Sequence, residues 1–157
     1  GVQWGKLILN LNNALNALSG LTVRAQLMQR PWRLLMASQW AEALKPVRAA
    51  GIKIVAATPV PAAVTPFLLR LPDPLFKAML GRTMTIDATA RSSMSDDLLR
   101  GRLTEIDFLQ GVIVDLARKH GLEAPIARRV VALIKQAEAA GNGLPNLTPE
   151  QVRSADV

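Results

Sequence analysis

The 157-residue sequence is half hydrophobic and 20% charged, which suits a globular domain with a real core and excludes a disordered chain. The absence of cysteine and the single histidine, His120, exclude a disulfide framework, a thiolate metal site and a zinc site of clustered imidazoles; a reducing compartment fits. The net charge of +7 does not point to nucleic acid, because Arg24, Arg30, Arg33, Arg48, Arg70 and Arg82 are scattered and no tyrosine is present to stack on a base. An anionic small substrate or a solvated basic surface accounts for it better.

Helical periodicity dominates and predicts an all-α domain of six to eight helices around one core. The first helix is expected from about Val2 to Leu18, with Gly20 as its stop. The uncharged stretch Leu7 to Val23 follows Lys6 like a weak signal peptide, but Asn10, Asn12, Asn13 and Asn16 would sit in its apolar segment and spoil it. A long second helix starts near Pro31, meets a kink at Pro46 and ends at Gly51. Ile52 to Ala56 is at most a short strand. A proline-rich connection from Thr58 to Pro74 follows, with helical pieces around Val64 to Leu71 and Leu75 to Leu80. Pro59, Pro61 and Pro66 prevent a membrane-spanning helix over Ile54 to Leu69.

The second half is more regular. A helix begins at Ser92 or Ser93 and runs to Arg100. Another starts at Thr104, where Thr104 and Asp107 form a cap signature and Glu105 lies in the first turn. It buries Ile106, Leu109, Ile113 and Leu116 and closes at His120 and Gly121, His120 serving the cap. Pro125 opens a helix with Ile126, Val130, Leu133, Ile134 and Ala137 on its buried face, stopped by Gly141. The Thr104 and Pro125 helices are expected to pack as neighbours. A short helix follows Thr148.

Three clusters are candidates for chemistry, the third being Leu103-Thr104-Glu105-Ile106-Asp107. At about 100° per residue, Lys6, Asn10 and Asn13 share a face of the first helix. Asparagine is a poor helix former, since its amide competes for backbone hydrogen bonds. The three are either a solvated stripe or a ligand-facing ridge, with an ammonium to donate a proton and amides to orient an oxygen-rich substrate. The run Ser92-Ser93-Met94-Ser95-Asp96-Asp97 is either a helix cap or a carboxylate site at a helix start, which Asp96 and Asp97 would partly oppose. From its position alone, Glu105 is no better a catalytic candidate than Asp107.

The stretch W-G-K-L-I-L-N-L-N-N-A-L-N-A-L at Trp4 to Leu18 resembles the opening of the ketopantoate reductase C-terminal domain. The block S-S-M-S-D-D-L-L-R-G-R-L-T-E-I-D-F-L-Q-G at Ser92 to Gly111 resembles that family's S-S-M…T-E-I-D signature. K-H-G-L-E-A-P at Lys119 to Pro125 resembles the turn that follows it. The region from about Arg24 to Arg82 departs from the pattern, its proline-rich part as a variant or insertion. The resemblance implies an all-α fold like the C-terminal domain of 6-phosphogluconate dehydrogenase, stacked against an N-terminal Rossmann domain of the same protein that holds NADPH. It implies reduction of ketopantoate to pantoate, on the route to pantothenate and coenzyme A in the cytoplasm. In that family's terms Lys6 is the general acid, Asn10 orients the substrate, Ser93 binds its carboxylate, and Glu105 holds its hydroxyl and positions Lys6. Asn13 stands for the second asparagine, which in the family comes four residues after the first and precedes proline; here it comes three after Asn10 and precedes Ala14.

Two alternatives stand beside this one: a reductase of another branched 2-oxo acid, and a helical dimerisation module without catalysis, since such domains tend to form homodimers. No metal, nucleic acid or membrane is expected as a partner. The sequence opens without an initiator methionine, inside or just before a helix, as a segment of a longer protein would. It also has no G-x-G-x-x-G turn between a strand and a helix to hold a pyrophosphate. The 157 residues alone are therefore expected to bind NADPH weakly or not at all and to leave ketopantoate unreduced; titration calorimetry yielding micromolar binding would contradict this.

Overall fold

The computed structural model describes residues 2–83 and 86–156. Its helices are α1 (Val2–Asn10), α2 (Asn12–Ser19), α3 (Val23–Leu27), α4 (Arg30–Ala49), α5 (Thr65–Leu69), α6 (Asp73–Thr83), α7 (Ser93–Leu99), α8 (Gln110–Lys119), α9 (Pro125–Ala140) and α10 (Pro149–Ser154), with a 3-10 turn at Ile106–Phe108 before α8. No strand occurs among the described residues, so the all-α expectation holds. Ile52 to Ala56 is irregular because no described strand is available to pair with it.

The helix count exceeds six to eight mainly because short segments are ordered separately. The first helix divides at Leu11 only in its hydrogen-bond pattern, since Leu11 keeps helical φ −59° and ψ −28°. The Leu11 N–H donates to Ile8 O at 3.2 Å, a tightened three-residue step, and the Leu11 carbonyl accepts from the Gln110 side chain at 2.7 Å. A side chain from a distant helix thus binds a backbone carbonyl at the point where the two helical segments join.

The Thr104 helix also begins later than its cap signature implies. The Thr104 hydroxyl and backbone N–H both donate to the Glu138 carboxylate, at 2.9 and 2.7 Å, and its oxygen accepts from Ile106 N at 3.2 Å. With the hydroxyl engaged there, it does not cap Asp107. A 3-10 turn follows, Leu109 departs from helical geometry at φ −115°, ψ −95°, and α8 starts at Gln110.

The long α4 packs against α3, α5, α8, α9 and α10, while α2 packs on α7 and α9, and α8 lies beside α9 as expected. One apolar core joins them, with Ile8, Leu15, Leu35, Val47, Ile113, Val130 and Ile134 fully buried. Each such aliphatic side chain is worth roughly 1.5–3 kcal/mol relative to an exposed one. Gly20 closes α2 at φ +72°, where a side chain would also collide with Asn146. Only glycine satisfies both demands.

Arg33 is a charge that the apolar pattern does not foresee. Its side chain is fully buried, and it donates to Leu27 O at 2.8 Å, Leu69 O at 3.1 Å, Leu71 O at 2.8 Å and Asp73 Oδ1 at 2.8 Å. Its guanidinium also lies 4.2 Å from the Phe76 ring centroid. Burial is tolerated because carbonyls around the end of α5, a carboxylate and an aromatic face replace its water. This one side chain ties the 65–76 region to α3 and α4.

The start of α9 is closed from another helix. Ala124 offers no capping side chain, and Glu42 on α4 accepts instead from Ile126 N at 2.9 Å and Ala127 N at 3.0 Å. Burial pushes the Glu42 carboxyl above its ordinary value, outweighing these two hydrogen bonds and the nearby Arg129 and Lys45 charges. Glu42→Ala should destabilise by about 1–3 kcal/mol in a denaturant titration, since two buried donors lose their acceptor. Glu42→Gln, which keeps one acceptor and sheds the desolvated charge, should cost less. A raised folded-state pKa makes the folded state the tighter proton binder. Wild-type stability relative to Glu42→Gln should therefore be greatest below the ordinary glutamate range and decline as pH rises through the raised value.

Candidate functional site

The first helix region and the Ser92 region meet at Asn16. Its carboxamide is fully buried and fully bonded. Asn16 Nδ2 donates to Leu21 O and Gln26 Oε1, both at 3.1 Å. Oδ1 accepts from Ser92 N at 2.9 Å and Ser95 Oγ at 3.1 Å. Ser92 caps α7 through Ser95 N at 3.2 Å and donates its hydroxyl to Asn13 O at 2.9 Å. One amide thus holds α2, the turn into α3 and the start of α7 together.

The approach to α7 is ordered separately. Asp87 accepts from the Thr89 backbone and hydroxyl, each at 2.8 Å, and these bonds hold its carboxyl below the usual range. Ala90 O then receives Val23 N at 2.9 Å, so the chain enters Ser92 in a set register.

The candidate residues divide along this frame. Asn13 and Ser93 lie where α2 meets α7, through the Ser92 bond to Asn13 O. Asn10 immediately precedes Leu11, whose carbonyl is bound by Gln110 at 2.7 Å; Glu105 precedes the 3-10 turn leading into Gln110. The segments carrying Asn10 and Glu105 are therefore tied through a backbone carbonyl and a side-chain amide. Lys6, Ser93 and Glu105 are exposed, and Asn10 and Asn13 half-buried. Among the described residues none of these five side chains has a hydrogen-bond or ion-pair partner. Asn12, by contrast, exchanges hydrogen bonds with Gln26 at 3.4 and 3.2 Å. The four asparagines thus do two jobs: Asn12 and Asn16 build, while Asn10 and Asn13 remain available.

Sequence reasoning picks out Ser92 as a cap but misses the partners Asn16, Gln26, Gln39 and Gln110. The i, i+4 spacing of Asn12 and Asn16 is the available signal, since it places both amides on one helix face. Gln39 and Gln110 carry no such signal, because their partners lie in distant segments.

A shallow apolar groove runs beside α1, lined by Gly5, Leu9, Trp40, Ile54, Val60 and Ala62. The Trp40 indole donates to Ala62 O at 2.9 Å and pins the far wall. At Gly5 any side chain would strike the Val55 carbonyl, so glycine next to Lys6 lets the 52–62 segment lie against α1. No group of three or more potential metal-ligating side chains clusters among the described residues. No helix described is long and apolar enough to cross a membrane.

Residues 1–138 match the family described as ketopantoate reductase PanE/ApbA C terminal. Over 52 residues, 33% of this chain and 17% of the relative, the sequence is 44% identical to a 2-dehydropantoate 2-reductase of Pyrococcus horikoshii. Over 66 residues, 38% of this chain and 22% of the relative, it is 41% identical to the 2-dehydropantoate 2-reductase of Escherichia coli O157:H7. The fold superposes with a TM-score of 0.67 on the crystal structure of a PanE/ApbA family ketopantoate reductase from Ralstonia eutropha JMP134, at 27% identity, covering 88% of this chain and 41% of that one. The chain therefore spans less than half the length of the solved relative.

The division between building and available amides predicts opposite phenotypes. Asn16→Ala should lower unfolding free energy by roughly 2–4 kcal/mol, because it orphans several buried donors and acceptors. Asn10→Ala should stay within about 0.5 kcal/mol of wild type. Equal destabilisation by the two in chemical denaturation would remove the distinction.

Proposed function

The chain belongs to the ketopantoate reductase family, as its C-terminal domain, and we propose that in the full-length protein it forms the substrate half of a cytoplasmic NADPH-dependent 2-dehydropantoate 2-reductase. The observation that carries this reading is the pairing of two motif segments with opposite polar behaviour. Asn12, Asn16, Ser92 and Ser95 satisfy one another and their neighbours, whereas Lys6, Asn10, Asn13, Ser93 and Glu105 project partnerless polar groups from the same segments. Idle polar side chains on a rigid frame suit a site preorganised for a polar ligand.

NADPH, when bound, supplies the hydride to the carbonyl carbon. Its pyrophosphate would be held by the N-terminal Rossmann domain of the same protein, since no described segment of this chain forms the strand–turn–helix that such binding uses. Lys6 gives the proton to the carbonyl oxygen as that oxygen gains charge, yielding the hydroxyl. Asn10 donates to a substrate oxygen and fixes the carbonyl plane, with Asn13 beside it as a second amide. Ser93 binds the carboxylate through its hydroxyl at the start of α7, where the helix dipole favours an anion. Glu105 accepts from the substrate hydroxyl and holds the Lys6 ammonium in line. Ketopantoate is the substrate this arrangement fits by family; a different branched 2-oxo acid would use the same five residues.

In the full-length protein with NADPH saturating, a panel of branched 2-oxo acids should show ketopantoate reduced most efficiently. Lys6→Ala should lower kcat by roughly 10²–10⁴-fold, with Lys6→Arg failing to restore it, because a guanidinium holds its proton too firmly and has a different shape. Wild-type kcat in either variant would leave Lys6 an ordinary surface lysine.

A further inference from the structure

Gln110 carries a cost that a merely structural residue would not need. Among the described residues its Oε1 is the fully buried side-chain polar atom left without a hydrogen-bond partner. An orphaned buried acceptor weakens a fold, and leucine, of similar size, would bring none. The other half of the carboxamide explains why glutamine is there. Gln110 Nε2 donates to Leu11 O at 2.7 Å and to Gln39 Oε1 at 3.0 Å, and Gln39 Nε2 reaches the same Leu11 carbonyl at 3.4 Å. Both glutamines are buried. Two acceptors facing one NH₂ group settle the orientation of the Gln110 amide: nitrogen toward Leu11, oxygen turned away.

What the pair grips is the carbonyl at the junction of α1 and α2, where the backbone stays helical but the Leu11 N–H steps back to Ile8 O. Leu11 directly follows Asn10 and separates α1, which carries Lys6, from α2, which Asn16 binds to the start of α7. Gln110 opens α8, and the 3-10 turn before it begins just after Glu105. We propose that Gln110 is a positioning residue that sets, through the Leu11 carbonyl, where Lys6 and Asn10 stand relative to Glu105, with Gln39 holding its amide in the donating orientation. This role rests on the substrate site proposed above. It also accounts for the stranded oxygen: the residue is kept for the direction of its N–H groups, at the expense of stability.

The test uses the full-length protein with Gln110→Met, Glu105→Gln and the double variant, assayed with NADPH and ketopantoate, together with amide hydrogen exchange. Gln110→Met should lower kcat on the order of 10–100-fold, leave KM for NADPH within about twofold because Gln110 is assigned no part in holding it, and speed exchange in α1 while α9 stays protected. Because Gln110 acts on the Lys6–Glu105 relation, adding Glu105→Gln should cost much less than the product of the two single losses. Multiplying losses, or unchanged exchange in α1, would overturn the proposal and leave Gln110 a packing residue. Should Gln110→Met fail to fold, Gln39→Met, which leaves the 2.7 Å bond to Leu11 in place, must show the same pattern with a smaller loss. If Glu105→Gln and Lys6→Ala keep wild-type kcat, the substrate site is wrong and the proposal falls with it; if those two are impaired and Gln110→Met is not, the proposal alone falls.

Discussion

Fully buried, the Asn16 carboxamide spends both N–H bonds on Leu21 O and Gln26 and both acceptor directions on Ser92 and Ser95. With the Ser92 hydroxyl donating to Asn13 O, that arrangement joins α2 to α7. An amide with four partners tolerates little rotation or displacement, because any shift strands a buried donor or acceptor. The start of α7 is therefore placed by α2, together with the Ala90 carbonyl that receives Val23 N on the approach to it. Ser93, next to the bound Ser92, inherits that placement while its own hydroxyl stays unengaged.

Thr22, Ser92 and Thr148 cap α3, α7 and α10 locally, but other helix ends in this fold are closed from neighbouring helices. Glu42 closes the start of α9 from the side of α4, and Arg33 takes up carbonyls around the end of α5. The Gln39–Gln110 pair takes the carbonyl at the junction of α1 and α2. Helix ends leave backbone groups without partners, and a domain of short helices has many of them. Where local capping residues are lacking, side chains from packed neighbours supply the missing half. Such tertiary caps also fix inter-helix geometry, because a hydrogen bond is directional where an apolar contact is not.

For chemistry, this division is useful. A reductase site needs a rigid frame and a few uncommitted polar groups, since a group already satisfied by the protein must be released before it can serve a substrate. The motif segments contain both kinds of residue within a few positions of one another: Asn12 and Asn16 committed, Asn10 and Asn13 free. The 52–62 segment lies against α1 at Gly5 and adds an apolar wall beside Leu9.

Periodicity and end signals were enough for the all-α class, for α4, α7, α9 and α10 nearly to their ends, and for the pairing of α8 with α9, because amphipathic spacing and Gly, Pro and Ser caps act within a few residues. The two motif segments, read by resemblance, were enough for the family. The sequence could not reveal that Leu11 divides the first helix, that Thr104 turns to Glu138 instead of capping Asp107, or that Arg33 is a core residue. Nor could it say which asparagines of the first helix build and which stay free. Each of these was decided by partners far away along the chain, competing for the same backbone groups and amides. Local propensity assigns a hydrogen-bonding group its nearest partner; only the packed structure shows which partner prevailed.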